Sequence, residues 1–399
     1  MPAPPSAHRV AQVLNPVIPT LGTLLKAHPD ALSLGQGMVA WGPPDSVRTA
    51  LVDACRSAGA SDRYGPMAGD PQVLEGIHQA LLRQRHPLDL ASSALLVTAG
   101  SNMAFHAIAQ VICDPGDQVI LPTPYYFNHV MAVQLAGGQP VPIDAGIVPD
   151  PEQLASAINE RTRAIVTTSP GNPSGAVLPP EQLEAINRLC ARHGLFHVHD
   201  EAYADFCHGP IPHWSPGALS GSSEHTVTLR SFSKSHGMAG WRLGYLAAPQ
   251  QLLPALAKVQ DTIAICPSRP MQRAALAAVT VPERWVEDQV ATLQSKRLGM
   301  VERFQQADIP WRLLGDSDGA LYGFADLDAG LGFEPALGPD TLMTTLVERF
   351  GVGVVSGSSF GMGAASFRIS YGMLDDDSFN EAMARLMRGL RQLAGNLHG

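Results

Sequence analysis

The chain has 399 residues, a formal net charge of −9, 16% charged residues and 45% hydrophobic residues. This composition is that of a globular protein with room for two domains. Because no basic stripe offsets the acidic balance, a surface for nucleic acid or for an anionic membrane is excluded, and any anionic ligand must be held by local arginines.

Cysteine usage and the N-terminus predict a soluble, cytoplasmic protein. The five cysteines are dispersed, with no Cys-x-x-Cys pair and no zinc-ligand spacing, which is typical of free thiols in a reducing compartment and predicts no metal site. Residues 1–6 lack the charged lead and apolar core of a secretory signal. No window approaches the roughly 18 apolar residues of a membrane helix.

Residues 1 to about 30 are rich in proline and interrupted by Gly22, a pattern that favours an extended arm over a compact start. We expect this arm to pack on a neighbouring subunit or on a smaller domain. From about residue 92 onward, short apolar runs alternate with helical patterns. The runs predict buried strands at 94–98, 118–121, 164–168, 195–199, 226–229 and 245–248.

The segments between the strands predict helices. One of them has Pro179 and Pro180 in its first turn and ends at Gly194. Alternating strands and helices predict an α/β fold with a largely parallel sheet covered on both faces. Functional side chains are then expected just past the carboxyl ends of the strands.

The last 110 residues or so change character, since 285–304 predicts one long amphipathic helix, followed by short strands and a helix over 377–393. We interpret this part as a second, smaller α/β domain. The predicted division is 1–45 for the arm and part of the smaller domain, 46–280 for the large domain, and 281–399 for the small C-terminal domain.

Two of the predicted strands lead into candidate ligand contacts. Ser101 and Asn102 open a helix directly after a strand, where helix amides and small residues favour an anion such as phosphate; a plain strand-to-helix turn is the alternative. Tyr126 follows the next strand and could stack on a bound ring, although most aromatic residues at such places belong to the core.

The following strands end in further polar residues. Asn172 lies in the turn 169–175, which by itself is ordinary turn chemistry. Asp200 ends a buried strand, and Tyr203 follows three residues later. A carboxylate in this place can hold a ring nitrogen protonated and a nearby tyrosine can reach a ring hydroxyl, but an aspartate at a strand end often caps a turn.

Lys234 lies between Ser233 and Ser235, and Arg242 follows in a turn flanked by glycine. An amine for a Schiff base, together with hydroxyls and a guanidinium for a phosphate, is what pyridoxal 5'-phosphate requires. An isolated Ser-x-Lys is more often a solvated lysine in a polar loop. In register with Asp200 and Asn172, however, this run predicts a pyridoxal phosphate site.

Arg368 is embedded in the apolar run 367–371, with no acidic neighbour before Asp375. A guanidinium in an apolar strand needs a partner. Bidentate binding of a substrate α-carboxylate explains it, and a salt bridge to a distant acidic residue is the alternative.

In order and spacing, these motifs resemble the fold-type I, class I/II pyridoxal phosphate-dependent aminotransferases from residues 34–37 to Arg368. The resemblance implies a large domain with a mostly parallel, seven-stranded type of sheet between helices, plus a smaller α/β domain. It implies that Lys234 is the Schiff-base lysine and Asp200 contacts the ring nitrogen. The other implied roles are Tyr203 and Asn172 on the ring hydroxyl, Ser101, Asn102, Ser231, Ser233 and Arg242 on the phosphate, Tyr126 on the ring face, and Arg368 and Asn172 on the substrate carboxylate.

The resemblance also implies a homodimer, because Tyr64 matches the tyrosine that such enzymes lend to the partner subunit's phosphate. Four segments, 33–44, 124–128, 237–242 and 260–266, resemble the plant aromatic aminotransferases that use methionine as donor, and their bacterial relatives. The loop with Gly37 and Trp41 is implied to line the substrate side-chain pocket, and its run 38–41 departs from the Pro-Asp-Phe type of most members.

These features predict ping-pong transamination between an aromatic amino acid or methionine and a 2-oxo acid. Trp41, Tyr125 and Tyr126 favour a large apolar substrate, and no second arginine for a dicarboxylate is evident. An aspartate-type aminotransferase remains an alternative, as does a carbon-sulfur β-lyase, since a carbanion at Cα can also lose a β-substituent. A pyridoxal-binding regulator would need a basic DNA-binding domain, for which we see no length or charge ahead of residue 30. Arg230 and His236 have no assigned role.

Overall fold

The computed structural model describes residues 6–57, 59–328, 338–363 and 365–395. The first five residues of the predicted arm and the last four of the predicted C-terminal domain lie outside these ranges. The strands are β1 (Leu32–Ser33), β2 (Ser93–Thr98), β3 (Gln118–Pro122), β4 (Gln139–Ile143), β5 (Thr162–Thr168), β6 (Phe196–Asp200), β7 (Thr226–Ser231), β8 (Gly244–Pro249), β9 (Trp311–Leu313), β10 (Tyr322–Leu327), β11 (Val352–Gly353), β12 (Val355–Ser356) and β13 (Phe367–Ser370).

The described residues also form α-helices of 4 to 20 residues. They are α1 (His8–Ala11), α2 (Val17–Ala27), α3 (Asp45–Arg56), α4 (Pro71–Leu82), α5 (Ser101–Ile112), α6 (Phe127–Leu135), α7 (Pro151–Ser156), α8 (Pro180–His193), α9 (Leu253–Ala264), α10 (Arg269–Ala278), α11 (Glu283–Ala291), α12 (Gln294–Gln306), α13 (Pro339–Phe350) and α14 (Asp376–Gly395). Within the described ranges, no helix is both long enough and apolar enough to cross a membrane.

The large sheet has seven strands in the order β2-β8-β7-β6-β5-β3-β4. Strands β7, β6, β5, β3 and β4 run parallel, and β8 is antiparallel to both of its neighbours. All the predicted strands of this sheet are confirmed. Strand β4 was missed because its sequence contains Pro140 and Pro142, which argue against a central strand but are tolerated at a sheet edge, where β4 lies.

Helices cover both faces of this sheet, as predicted. Successive residues of β5 show the arrangement, because side chains alternate between faces along a strand. Val166 packs in one core with Phe105 of α5, whereas Ile165 packs in another with Ile186 of α8. The predicted helix that ends at Gly194 is confirmed as α8, with Gly194 in the left-handed conformation.

The chain from Trp311 onward builds a four-stranded sheet in the order β12-β13-β10-β9, antiparallel throughout. Its core includes residues of α12, α13 and α14. Strand β1 pairs with β11, with Leu32 opposite Val352, so the N-terminal segment joins the C-terminal part of the chain. This pairing supports grouping 1–45 with the smaller domain, and the boundaries near 45 and 280 stay predictions.

Two details of the sequence interpretation are wrong. Gly22 does not interrupt the N-terminal arm, because it lies inside α2. The helix expected over 285–304 is split into α11 and α12. At the junction the amides of Thr292 and Leu293 bond to carbonyls three residues back, and the Thr292 hydroxyl bonds to the Gln289 carbonyl at 2.6 Å. The tighter turn and the side-chain bond end the first helix. The C-terminal helix is confirmed as α14.

Three buried polar side chains, those of Thr167, His197 and His199, are hydrogen-bonded to one another across neighbouring strands of the sheet. The Thr167 hydroxyl lies 2.8 Å from His197 Nε2 and 2.6 Å from His199 Nδ1. Both imidazoles are fully buried. Burial lowers the pKa of His197 and lowers the pKa of His199 to about 4, so both rings stay neutral in the folded protein.

Because the pKa values of these two imidazoles are lowered, we expect the folded protein to lose stability in mild acid. Below a pH of about 6.5 the unfolded chain binds protons that the folded protein does not, so the free energy of unfolding falls towards pH 4. Each imidazole contributes up to about 1.4 kcal/mol per pH unit. Urea unfolding at several pH values measures this slope. The variant His199→Gln should flatten it, and an unchanged slope would contradict the assignment to His199.

Candidate active site

A cavity of about 100 Å³ lies where β5, β6 and β7 end side by side. All the predicted cofactor contacts except Tyr64 line it. Thr168 and Ala202 line it too and were not predicted, because nothing in their own sequence marks them beyond their place at a strand end. The lining residues are Ser101, Asn102, Tyr126, Thr168, Asn172, Asp200, Ala202, Tyr203, Ser231, Ser233, Lys234 and Arg242.

The Lys234 amine is held inside this cavity. Its Nζ donates a hydrogen bond to the Gly37 carbonyl and lies 5.6 Å from the centre of the Tyr203 ring. Burial, together with the charges of Arg368 and Arg242, lowers the pKa of Lys234 to about 8, and Asp200 only partly offsets them. A far larger share of the amine is therefore neutral near physiological pH than for an ordinary lysine, as a nucleophile or a base requires.

Asp200 is fixed on both carboxylate oxygens. Oδ2 lies 3.0 Å from Nε2 of His129, and Oδ1 accepts a hydrogen bond of 3.0 Å from the Ala202 amide. The His129 ring is buried, with its centre 4.2 Å from that of Phe105. His129 was not among the predicted residues. The sequence feature that could have identified His129 is its position on the apolar face of α6, three residues after Tyr126.

The opposite end of the cavity is built for an anion. Helix α5 begins at Ser101, directly after Gly100, whose φ of +84° favours glycine. A Cβ at Gly100 would collide with the Arg242 guanidinium. That guanidinium donates to the carbonyl of Ala239 at 2.8 Å and to that of Ala99 at 3.3 Å. A cation is thus held against the positive end of a helix, beside the hydroxyls of the lining serines, and this donor set fits a phosphate group.

Tyrosines form the walls of the cavity. The Tyr126 hydroxyl donates to Asn102 Oδ1 at 3.3 Å and accepts from Asn128 Nδ2 at 2.8 Å. Burial raises the pKa of Tyr126 to about 12. The Tyr203 hydroxyl is hydrogen-bonded to that of Tyr322. Asn128 and Tyr322 were not predicted. Tyr322 had no signal in the sequence, because it reaches the site from β10 of the other sheet.

Arg368 lies in β13 and is 2% exposed. Nη1 donates to Asn172 Oδ1 and Nη2 to the Gly35 carbonyl, each at 2.8 Å. The guanidinium lies 4.4 Å from the centre of the Tyr322 ring. Its Nε has no hydrogen-bond partner among the residues described, and its partners there are neutral groups rather than a carboxylate. The salt-bridge alternative for Arg368 therefore finds no support.

The structure places three other predicted residues outside the cavity lining. Tyr64 is 77% exposed. The Trp41 indole donates to the Ser235 carbonyl at 3.1 Å and stacks on Phe206 with ring centres 6.2 Å apart. Gly37 contributes its carbonyl to Lys234, and a Cβ there would meet the Tyr322 hydroxyl. The segment of Gly37 and Trp41 therefore lies over the Lys234 loop.

Comparison with known proteins agrees with this geometry. Residues 29–386 match the sequence model of the family described as "Aminotransferase class I and II". The chain is 32% identical to the probable aspartate/prephenate aminotransferase of Aquifex aeolicus, covering 91% of this chain and 92% of that protein. It is 31% identical to the aromatic aminotransferase ISS1 of Arabidopsis thaliana, covering 95% and 94%.

Solved structures give the same result. The aspartate aminotransferase of Thermus thermophilus with maleate superposes with a TM-score of 0.87 at 30% identity, covering 97% of this chain and 100% of that one. The aromatic aminotransferase of Pyrococcus horikoshii superposes with a TM-score of 0.83, also at 30% identity, covering 94% and 100%. The similar proteins thus carry names of both aspartate and aromatic specificity.

Proposed function

Since the chain belongs to the class I and II aminotransferases, which are pyridoxal 5'-phosphate-dependent enzymes, we propose that it moves the amino group of an aromatic amino acid or methionine to a 2-oxo acid by a ping-pong mechanism. The observation that carries this proposal is the position of the Lys234 amine, in one cavity with Asp200 and Arg242. The substrate carboxylate would be bound by Arg368 and Asn172.

In this proposal each side of the cavity would hold one part of the cofactor. When bound, pyridoxal phosphate supplies an electron sink for a carbanion at the substrate Cα. Asp200, held by His129, would keep the ring nitrogen protonated. Tyr126 would cover the ring face, with Tyr203 and Asn172 at the ring hydroxyl. The phosphate would be held by Ser101, Asn102, Ser231, Ser233 and Arg242.

The side chains then divide the work of proton transfer and orientation. Arg368 would hold the α-carboxylate, with Nε as a donor that has no partner among the described residues. This contact fixes the direction of the Cα–H bond relative to Lys234. With its pKa at about 8, the Lys234 amine can take the Cα proton and return it as a general acid.

The most specific part of the proposal is the preference of the enzyme for one kind of substrate side chain. Among the described residues, Arg242 is the single arginine in the cavity lining, and in this proposal it binds the phosphate beside Gly100. We therefore expect phenylalanine, tyrosine, tryptophan or methionine to react ahead of aspartate in stopped-flow half-reactions of the purified enzyme. A strong preference for aspartate would overturn this part and favour the specificity named for the Aquifex relative. Release of pyruvate and ammonia from cystathionine would indicate the β-lyase instead.

We also propose a cytoplasmic homodimer with shared sites. Tyr64 is 77% exposed, and its loop is fixed by a 3.3 Å bond from the Gly65 amide to Cys266 Sγ, beside the exposed Ile265. An aromatic ring presented in this way fits a contact with a partner's phosphate. Mixing subunits of Lys234→Ala with subunits of Tyr64→Ala should restore activity, because one site of the mixed dimer has both residues. If no activity is recovered, or if the protein sediments as a monomer, the shared site is rejected. The cytoplasmic location is tested separately, by fractionation of source cells.

A further inference from the structure

A buried ion pair lies directly beneath the cofactor cavity. The carboxylate of Glu201 pairs with Nη2 of Arg230, and these residues are 1% and 7% exposed. The same carboxylate accepts hydrogen bonds from His213 at 3.1 Å and from the Ser215 hydroxyl. Burial alone would raise the pKa of Glu201, but Arg230 and His213 hold it below its usual value, so the carboxylate stays ionised.

The pair joins two strands that carry proposed cofactor contacts. Glu201 follows Asp200, the last residue of β6, and its amide bonds to the Leu229 carbonyl of β7 at 2.9 Å. Arg230 precedes Ser231, the last residue of β7. Because successive side chains of a strand point to opposite faces, a link between Glu201 and Arg230 on one face joins the two backbones that present Asp200 and Ser231 on the other.

A second cavity lies on the side of the wall where the ion pair is found. It has a volume of about 860 Å³ and contains Glu201, Arg230, His213 and His236 in its lining. Ala202 and Ser231 line both cavities, so they form the wall between them. Besides Glu201 and His213, the Arg230 guanidinium contacts Gln84 Oε1 at 3.1 Å, and its Nε has no partner in the part of the chain described. The ion pair therefore adds a side-chain link across this wall to the backbone bond between Glu201 and Leu229.

We propose that Glu201 and Arg230 are positioning residues, which set the distance between the carboxylate that meets the cofactor ring and the serine that meets its phosphate. The proposal rests on the proposed cofactor roles of Asp200 and Ser231. Neither Glu201 nor Arg230 is among the residues that line the cofactor cavity. Their effect would pass through the backbone of the next or preceding residue. This also assigns a role to Arg230, which the sequence left without one.

The test is titration of the apoprotein with pyridoxal phosphate, with two readouts. The first is the Kd, and the second is the visible circular dichroism of the saturated site, which reports the orientation of the bound ring. Breaking a buried pair leaves a charge uncompensated, so Glu201→Gln should raise the Kd about tenfold or more and change the dichroism. Arg230→Lys, which keeps the charge, should stay within about threefold of the wild type.

Two further variants make the result decisive. If Glu201→Gln fails to fold, the double variant Glu201→Gln/Arg230→Met buries no unpaired charge and should fold, yet it lacks the link. Arg163→Met, which breaks the 2.9 Å pair with Asp117 on the same sheet, is the control and should keep both readouts. Wild-type Kd and dichroism in the folded variants would overturn the inference alone. Wild-type protein that fails to bind pyridoxal phosphate through Lys234 would overturn the proposed function first.

Discussion

Replacement of Lys234 by alanine is expected to abolish transamination and to remove the visible absorbance of the lysine-linked cofactor. The amine is the one group in the described cavity lining that can both bond to the aldehyde and carry a proton, and its pKa of about 8 suits both tasks. Loss of a general acid-base group alone costs about 100- to 10,000-fold in rate. Absorbance spectra and single-turnover rates measure the two effects separately.

The matched control is Lys258→Ala, because Lys258 lies exposed on α9 and should leave both the spectrum and the rate unchanged. The variant Lys234→Arg separates charge from chemistry, since arginine keeps a cation but does not lose its proton in proteins. We expect it to bind pyridoxal phosphate without the lysine-linked band. Full turnover in either Lys234 variant would contradict the assignment of Lys234 as the catalytic lysine.

The predicted residues that line the cavity share one property: each ends or follows a buried strand of the large sheet. Asn172, Asp200 and Lys234 could be placed together because carboxyl ends of neighbouring parallel strands meet at one edge. The strands themselves were recognisable from short apolar runs bounded by turns. The local sequence pattern was therefore enough to predict both the sheet and the edge at which the cavity lies.

The parts that were missed depend on contacts between distant segments. Tyr322 comes to the site only because β10 packs against it, and no local pattern marks that contact. His129 supports Asp200 from α6 across 71 residues of chain. The Gly35 carbonyl meets Arg368 across 333 residues. A carbonyl is present at every residue, so only the fold can show which one is used.

Arg368 bonds to two segments that are distant in sequence, and both of the groups that accept its hydrogen bonds are neutral. The buried position of its guanidinium explains why. The guanidinium is buried between aromatic rings, where an unpaired charge is costly, and its bonds to Asn172 and Gly35 offset only part of that cost. A carboxylate in the same place would neutralise the guanidinium and would compete with the substrate. Neutral acceptors hold the side chain in position and leave its charge for the ligand.

Arg368→Met is therefore expected to lower kcat/KM for amino acids by about 30-fold or more, because truncating one partner of a buried charged pair costs about 2–5 kcal/mol. The loss should depend on the carboxylate of the substrate. Wild-type enzyme should prefer phenylalanine strongly to 2-phenylethylamine, and the variant should lose that preference while its weak reaction with the amine is kept. Arg312→Met, at an exposed arginine on β9, is the control and should keep the wild-type preference. If Arg368→Met also kept it, the carboxylate would have to bind elsewhere, and the orientation of Cα towards Lys234 would need another anchor.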